Sequence, residues 1–352
     1  MTQRHLLPVI FVGLAALGFS FDSSNELFAG PPYPTSKVIT GVTFDFSTHR
    51  KLAPGSDNWP ITWADDGHQY TCWGDGGGFG GTNSKGRVSL GFARVEGDAD
   101  NYKGVNVWGG FGAPHSATFG GKSYGILSVD GVLYAWWGPG SGSTFCRETR
   151  VLKSTDHGKS WMKSDWRFTK QDELYGGTLC NFGRDYADAR DEYVYSYFPR
   201  GTKWAINKPG KVDLARVHKT RIIDRDAYEF FAGFDGQGTP KWTVDVAARR
   251  AVFEDPNGVR TASVSFNRGL GRYLLTTEHT QPATGNLAIF DAPEPWGPWT
   301  TVAYYENWHN LKGTISFYFS SKWFSEDGKQ FTMVFTDRDH WATVQGRFTV
   351  NE

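Results

Sequence analysis

Asp66-Gly-His-Gln-Tyr70-Thr-Cys-Trp-Gly74 is a phrase that returns four more times along the chain. The copies are Asp130-Gly-Val-Leu-Tyr134-Ala-Trp-Trp-Gly138, Asp191-Glu-Tyr-Val-Tyr195-Ser-Tyr-Phe198, Leu270-Gly-Arg-Tyr273-Leu-Leu-Thr-Thr277 and Asp327-Gly-Lys-Gln-Phe331-Thr-Met-Val-Phe335. Each is a tight-turn signal followed by an aromatic-rich strand. The anchor aromatics Tyr70, Tyr134, Tyr195, Tyr273 and Phe331 stand 64, 61, 78 and 58 residues apart. A repeat of that length, built from strands and turns, marks a β-propeller. The expected fold is therefore all-β: a five-bladed β-propeller of four-stranded antiparallel blades.

Each repeat divides in the same way. A first strand precedes the turn, as in Trp59-Pro-Ile-Thr-Trp63 and Thr261-Ala-Ser-Val-Ser-Phe266, and the quoted aromatic strand follows it. A third strand comes next, such as Val88–Val95, Lys211–Val217 and Gly285–Phe290, and several repeats add an outer segment marked by Trp161, Trp242 or Trp299. The last repeat lacks an outer strand of its own. The alternating stretch Ser36–Phe46 is expected to supply it, closing the ring and removing an exposed edge. Ser154-Thr-Asp156-His-Gly158-Lys-Ser-Trp161 fits the Asp-box pattern S-x-D-x-G-x-x-W. Its aspartate caps a turn, its glycine takes positive φ and its tryptophan packs beneath, a structural role. Asp224–Gly233 is expected to form a short helical turn between strands.

The 352 residues suffice for one large repeat array, with 37 basic and 37 acidic side chains. That balance gives no global field to draw in nucleic acid or an acidic membrane. Residues 1–20, with Arg4 and His5 ahead of an apolar run to Gly18, read as a signal peptide, and the run is too short to span a bilayer. Residues 21–36 read as a linker without a fold of its own, and 37–352 as the propeller. The mature protein is expected to be a secreted or periplasmic monomer, free of the membrane. Of three cysteines, Cys72 reads as a buried strand residue, and Cys146 and Cys180 are neighbours that could form a bridge.

The fold restricts where chemistry can sit. First and second strands form a hairpin at the channel wall, so residues before the first and after the second gather on one face. In the first repeat these include Asp57 and Asp75. A register pairing Ala64 with His68 puts the two aspartates directly opposite each other, with Cβ atoms ~5 Å apart. Like charges so placed force one carboxyl to keep its proton while the other stays ionised. Glycoside hydrolysis needs that division: an acid for the leaving oxygen, and a base or nucleophile at the sugar carbon. The glycines of Gly74–Gly81 would let backbone approach a ligand. The alternatives are an aspartate capping a turn, or a pair holding a structural Ca²⁺ in the channel; otherwise no cofactor or metal is expected. The same rule nominates His115, Trp137, Tyr175, Arg200, Glu278, His279 and Asp337 as substrate-binding residues, with Glu278 the best third carboxylate and Trp137 an exposed stacking platform. The cluster Asn181–Asp188 should lie on the far face.

The run from Asp57 to Gly76 resembles a bacterial family of five-bladed propellers long catalogued as a domain of unknown function, some of whose members are endo-D-arabinanases. The likeness continues through Val212–Val217, Tyr228–Gly233, Pro240–Trp242, Gly269–Tyr273 and Trp296–Trp299. It implies a glycoside hydrolase whose two acidic residues match Asp57 and Asp75. The expected activity is thus cleavage of a glycan, an arabinofuranoside among the candidates, and face-to-face aspartates would favour retention of configuration. A non-catalytic carbohydrate-binding propeller and a polysaccharide lyase using His115, His279 or a tyrosine are the competing readings.

Overall fold

The computed structural model describes residues 30–140, 147–201 and 205–351. After an N-terminal strand β1 (Ile39–Leu52), five antiparallel sheets follow in chain order. Blade 1 holds β2 (Ile61–Trp63), β3 (Gln69–Trp73), β4 (Gly91–Glu96) and β5 (Lys103–Trp108). Blade 2 holds β6 (Lys122–Val129), β7 (Val132–Gly138) and β8 (Glu148–Ser154), with the short β9 (Met162–Lys163) and β10 (Phe168–Thr169) sharing its outer edge. Blade 3 holds β11 (Thr178–Leu179), β12 (Tyr193–Pro199), β13 (Gly210–His218), β14 (Glu229–Phe234), β15 (Pro240–Thr243) and β16 (Ala251–Asp255), which pairs with the near end of β13. Blade 4 holds β17 (Ala262–Asn267), β18 (Arg272–Glu278), β19 (Leu287–Ala292) and β20 (Thr300–Tyr304). Blade 5 holds β21 (Thr314–Phe319), β22 (Gln330–Asp337) and β23 (Trp341–Val350).

The fourth strand of blade 5 is β1, which runs antiparallel to β23 from Ile39 opposite Val350 to Leu52 opposite Trp341. The first and last parts of the chain thus share one sheet, as the sequence predicts, and the closing strand extends six residues past Phe46. Aromatic rings are buried between neighbouring blades. Trp59, Trp73, Phe79 and Trp341 pack between blades 5 and 1, and Trp136, Phe168, Phe198 and Tyr228 between blades 2 and 3. Large flat rings suit this wedge, because each contributes apolar area on both faces.

Several local expectations change. The first strand of blade 1 is only Ile61–Trp63, because Pro60 has no N–H to donate to a ladder. The helical turn at 224–233 is a 3₁₀ turn (Arg225–Ala227) followed directly by β14, so Trp242 falls on a fifth strand. The stretch read as a linker is docked from residue 30 onward: Tyr33 packs on Phe253 and Phe290, and its carbonyl accepts from Thr301 Oγ1 at 2.8 Å. The signal-peptide reading lies outside the described residues, as does Cys146; Cys72 and Cys180 are buried free thiols. The Asp-box forms as expected. Gly158 and Ser160 amides donate to Ser154 Oγ and Asp156 Oδ1 at 2.8 and 2.9 Å, and Trp161 stacks on Phe92.

Candidate active site

The hairpin β2–β3 pairs Ile61 with Thr71, Thr62 with Tyr70 and Trp63 with Gln69, and Ala64 N donates to His68 O. Continued upward, that register would face Asp57 with Asp75. The chain instead slips by one residue, and Asp57 pairs with Gly74 through reciprocal backbone bonds of 3.0 and 2.8 Å. Asn58 and Asp75 cause the slip: both adopt left-handed backbone, at φ 65 and 57. Such conformations cost of order 1–3 kcal/mol and persist where surroundings over-determine them. Asn58 is over-determined. It is buried, its N–H donates to Thr336 Oγ1, its amide to Ser123 O, and its Oδ1 accepts from Tyr318. Two other blades, 5 and 2, therefore hold the residue next to Asp57.

The slip replaces head-on opposition with a bridged pair. Lys122, the first residue of β6, places Nζ 2.8 Å from Asp75 Oδ1 and donates to Ser89 O at 3.2 Å. Arg87 adds a second cation 3.2 Å from the same Oδ1. A Cβ on Gly74 would stand 3.0 Å from both Asp57 Oδ1 and Lys122 Nζ. Glycine is thus required there for the carboxyl and the ammonium to converge. Asp57 reaches solvent at the mouth but is otherwise surrounded by protein. Desolvation pushes its carboxyl up to about 6, with Asp75 and Asp339 adding to the rise and Lys122 and Arg260 opposing it. Asp57 is thus a desolvated carboxyl, and Asp75 is paired with two cations.

Glu278 is buried and fully committed. It accepts from Arg260 Nη1 at 2.9 Å, Thr261 Oγ1 at 3.1 Å and Ser316 N at 2.9 Å, all buried. The remaining expected contact residues do not join the site. Trp137 is buried, not an exposed platform: its indole donates to Gly120 O and its ring meets Phe119. His115 lies at the outer rim, bridged to Trp108 on β5, because the chain travels back along the blade before β6 starts. Tyr175 is buried with its hydroxyl accepting from Asn207. Arg200 is turned onto Asp213, which it shares with Arg249. His279 points outward, stacked on Tyr304 at 3.8 Å with Nε2 at Tyr305 O, and burial pushes its pKa down to about 4. Asp337 faces β1, where Lys51 and His49 approach it at 3.1 and 3.5 Å. The glycines after Asp75 serve internal packing: a Cβ on Gly76 or Gly77 would strike Gly55 O or Lys85 O.

Lys122, Arg260 and Asn58 are the residues that sequence reasoning missed. Lys122 opens the first strand of blade 2 and Arg260 stands just before that of blade 4, where the topological rule looks; locating those strand starts correctly would have found them. As expected, Asn181–Asp188 lies on the far face, where Asp185 accepts from Ser128 and Gly131. Two open clefts of 420 and 430 Å³ also lie there, lined by hairpin-turn residues such as Arg268 and Asp130. They are remote from the aspartates. Among the described residues one group has metal-ligand spacing, Asp65, Asp66 and His157, again on the far face. Its atoms satisfy one another and Tyr70. At the mouth, Lys122 and Arg87 already supply the positive charge that a Ca²⁺ would bring.

No curated protein matches the sequence. Among solved structures, a Bacteroides ovatus ATCC 8483 protein provisionally described as a hydrolase has 13% identity and a TM-score of 0.56, with 92% of this chain and 93% of that one covered. The GH43_1 enzyme of Xanthomonas citri (14% identity, TM-score 0.47, 85% and 90% covered) and an alpha-L-arabinofuranosidase of Podospora anserina (12%, 0.47, 90% and 98%) are more distant. At such identities these are likenesses of fold. The family profile described as "Domain of unknown function (DUF4185)" matches residues 125–345, blade 2 through blade 5, leaving the aspartates of blade 1 outside the matched span. With well over half of its length matched, the chain belongs to that family.

Proposed function

We propose that the protein is an exported glycoside hydrolase that cleaves a polysaccharide or oligosaccharide, an arabinofuranoside among the candidates, at the axial mouth of the propeller. The observation that carries this reading is the unequal pair: a carboxyl at Asp57 that holds its proton to about pH 6, beside Asp75 ion-paired with Lys122 and Arg87. Asp57 donates its proton to the departing glycosidic oxygen. Asp75 attacks the anomeric carbon, or activates the water that does. A hydrolytic role also agrees with the provisional description of the Bacteroides ovatus protein, which shares the fold. The histidines that a lyase would use as base are turned away from the pair.

The test is a screen of the purified chain on a polysaccharide panel that includes arabinans, with product anomers followed by NMR. Asp57→Asn and Asp75→Asn should each reduce reducing-end release by 100-fold or more, roughly the low end for loss of a catalytic acid or base. The reading is lost if both variants cleave as fast as the parent.

A further inference from the structure

Lys122 belongs to a different blade from the two aspartates, yet its ammonium pairs with Asp75 and its charge acts on Asp57. Its ammonium is almost fully enclosed, whereas Arg87 on Asp75 is half exposed and screened by water. A buried lysine needs full compensation, and here that comes from Asp75 Oδ1, Ser89 O and the nearby Asp57 Oδ1. We propose that Lys122 is the positioning residue of the pair, fixing the Asp75 side chain through its ion pair and limiting how firmly Asp57 keeps its proton. This rests on the hydrolase reading for its meaning in catalysis, but not for its electrostatics.

The strongest charges acting on Asp57 come from four elements around it. Lys122 comes from β6, Asp75 from the end of the blade 1 hairpin, Asp339 from the turn after β22, and Arg260 from the segment before β17. Arg260 is already paired with Glu278, and Asp339 and Asp75 carry the opposite sign. Lys122 is first among the charges that act on Asp57, and it favours the ionised form. Its neutral replacement therefore moves Asp57 upward. An opposite charge at such range shifts a carboxyl by roughly one to three pH units.

The experiment titrates the Asp57 side-chain carboxyl by ¹³C NMR in the full chain, assigned by its loss in Asp57→Asn. It is run on the parent, on the neutral variants Lys122→Met and Lys122→Gln, and on the charge-keeping Lys122→Arg. The expected midpoint rises by about one pH unit in either neutral variant and stays within about 0.3 unit in the arginine variant. The alkaline limb of kcat/KM should move by the same amount, with at least a tenfold loss of rate. An unchanged midpoint in a folded neutral variant overturns the inference. Because the NMR readout needs no turnover, a failure here is separable from a failure of the hydrolase reading, which the two asparagine variants judge.

Discussion

Replacing Glu278 with alanine tests whether the third carboxylate of the channel holds the fold or works on substrate. Glu278 and Arg260 are both buried, and Glu278 accepts three bonds, from Arg260, Thr261 and Ser316. The alanine variant removes the carboxylate paired with the buried Arg260 guanidinium and takes away the acceptor of the Ser316 N–H. Breaking a buried ion pair by removing one partner costs about 3–5 kcal/mol. Unfolding entropy of about 2.1 cal/mol/K per residue, over roughly 310 described residues, gives about 0.65 kcal/mol/K. Glu278→Ala should therefore lower Tm by about 5–8 °C in differential scanning calorimetry. Adding Arg260→Met removes the buried charge that lost Glu278 and should restore at least half of the loss, because a buried pair can be replaced by apolar groups at little net cost. A Tm drop below about 1 °C in the single variant, or a double variant that is no better than the single, would refute the structural assignment of Glu278.

Two further predictions use titration, with opposite signs. His279 has its folded pKa pushed down to about 4 against an ordinary value near 6.5. Between those values the unfolded chain binds more protons, so stability falls as pH drops from 6.5 towards 4, by about 3 kcal/mol in all. His279→Gln should flatten that slope in urea denaturation; parallel losses in parent and variant would sink the idea. Asp57 behaves in reverse, because its carboxyl is pushed up to about 6. The folded chain binds its proton more tightly, so stability falls as pH rises from about 4 to 6. Asp57→Asn should thus gain about 2 kcal/mol at pH 7, allowing for screening at the open mouth, and lose that advantage at pH 4. A variant less stable than the parent at pH 7 would count against a strained, poised acid.

The repeat made most of the architecture readable, because every blade needs the same turn and the same buried rings. The closing strand was readable for a related reason: a sheet edge at blade 5 had to be covered, and Ser36–Phe46 alternates like a strand. What could not be read is set by side-chain direction and by insertions. The rule that places residues at the mouth counts from strand ends, and at blade 2 a long return along the blade separates His115 from the true start at Lys122. At the ends of β18 and β22 the count was right, but the pleat aims His279 and Asp337 away from the axis. Trp137 shows the same limit from the other side, since an aromatic within a strand is buried whenever a neighbouring loop covers it. The one-residue slip at Asp57 was hidden because it depends on Asn58 and Asp75 both taking positive φ, which no pairing rule foresees.

Ring closure and site assembly are one event in this molecule. The segment carrying Asp57 follows β1 directly. Its Gly55 and Ser56 amides donate to Asp339 O on blade 5, Asn58 ties it to Thr336 on blade 5 and to Ser123 on blade 2, and Asp57 itself pairs with Gly74 on blade 1. None of these partners is near it in sequence except Gly74. A chain whose β1 has not yet zipped onto β23 therefore lacks both the outer strand of the last blade and the anchors that desolvate Asp57. In that open state the aspartate is an ordinary exposed carboxyl with no reason to hold a proton at neutral pH. The enclosure of Asp57 thus depends on closure, because the contacts that surround it come from both ends of the ring.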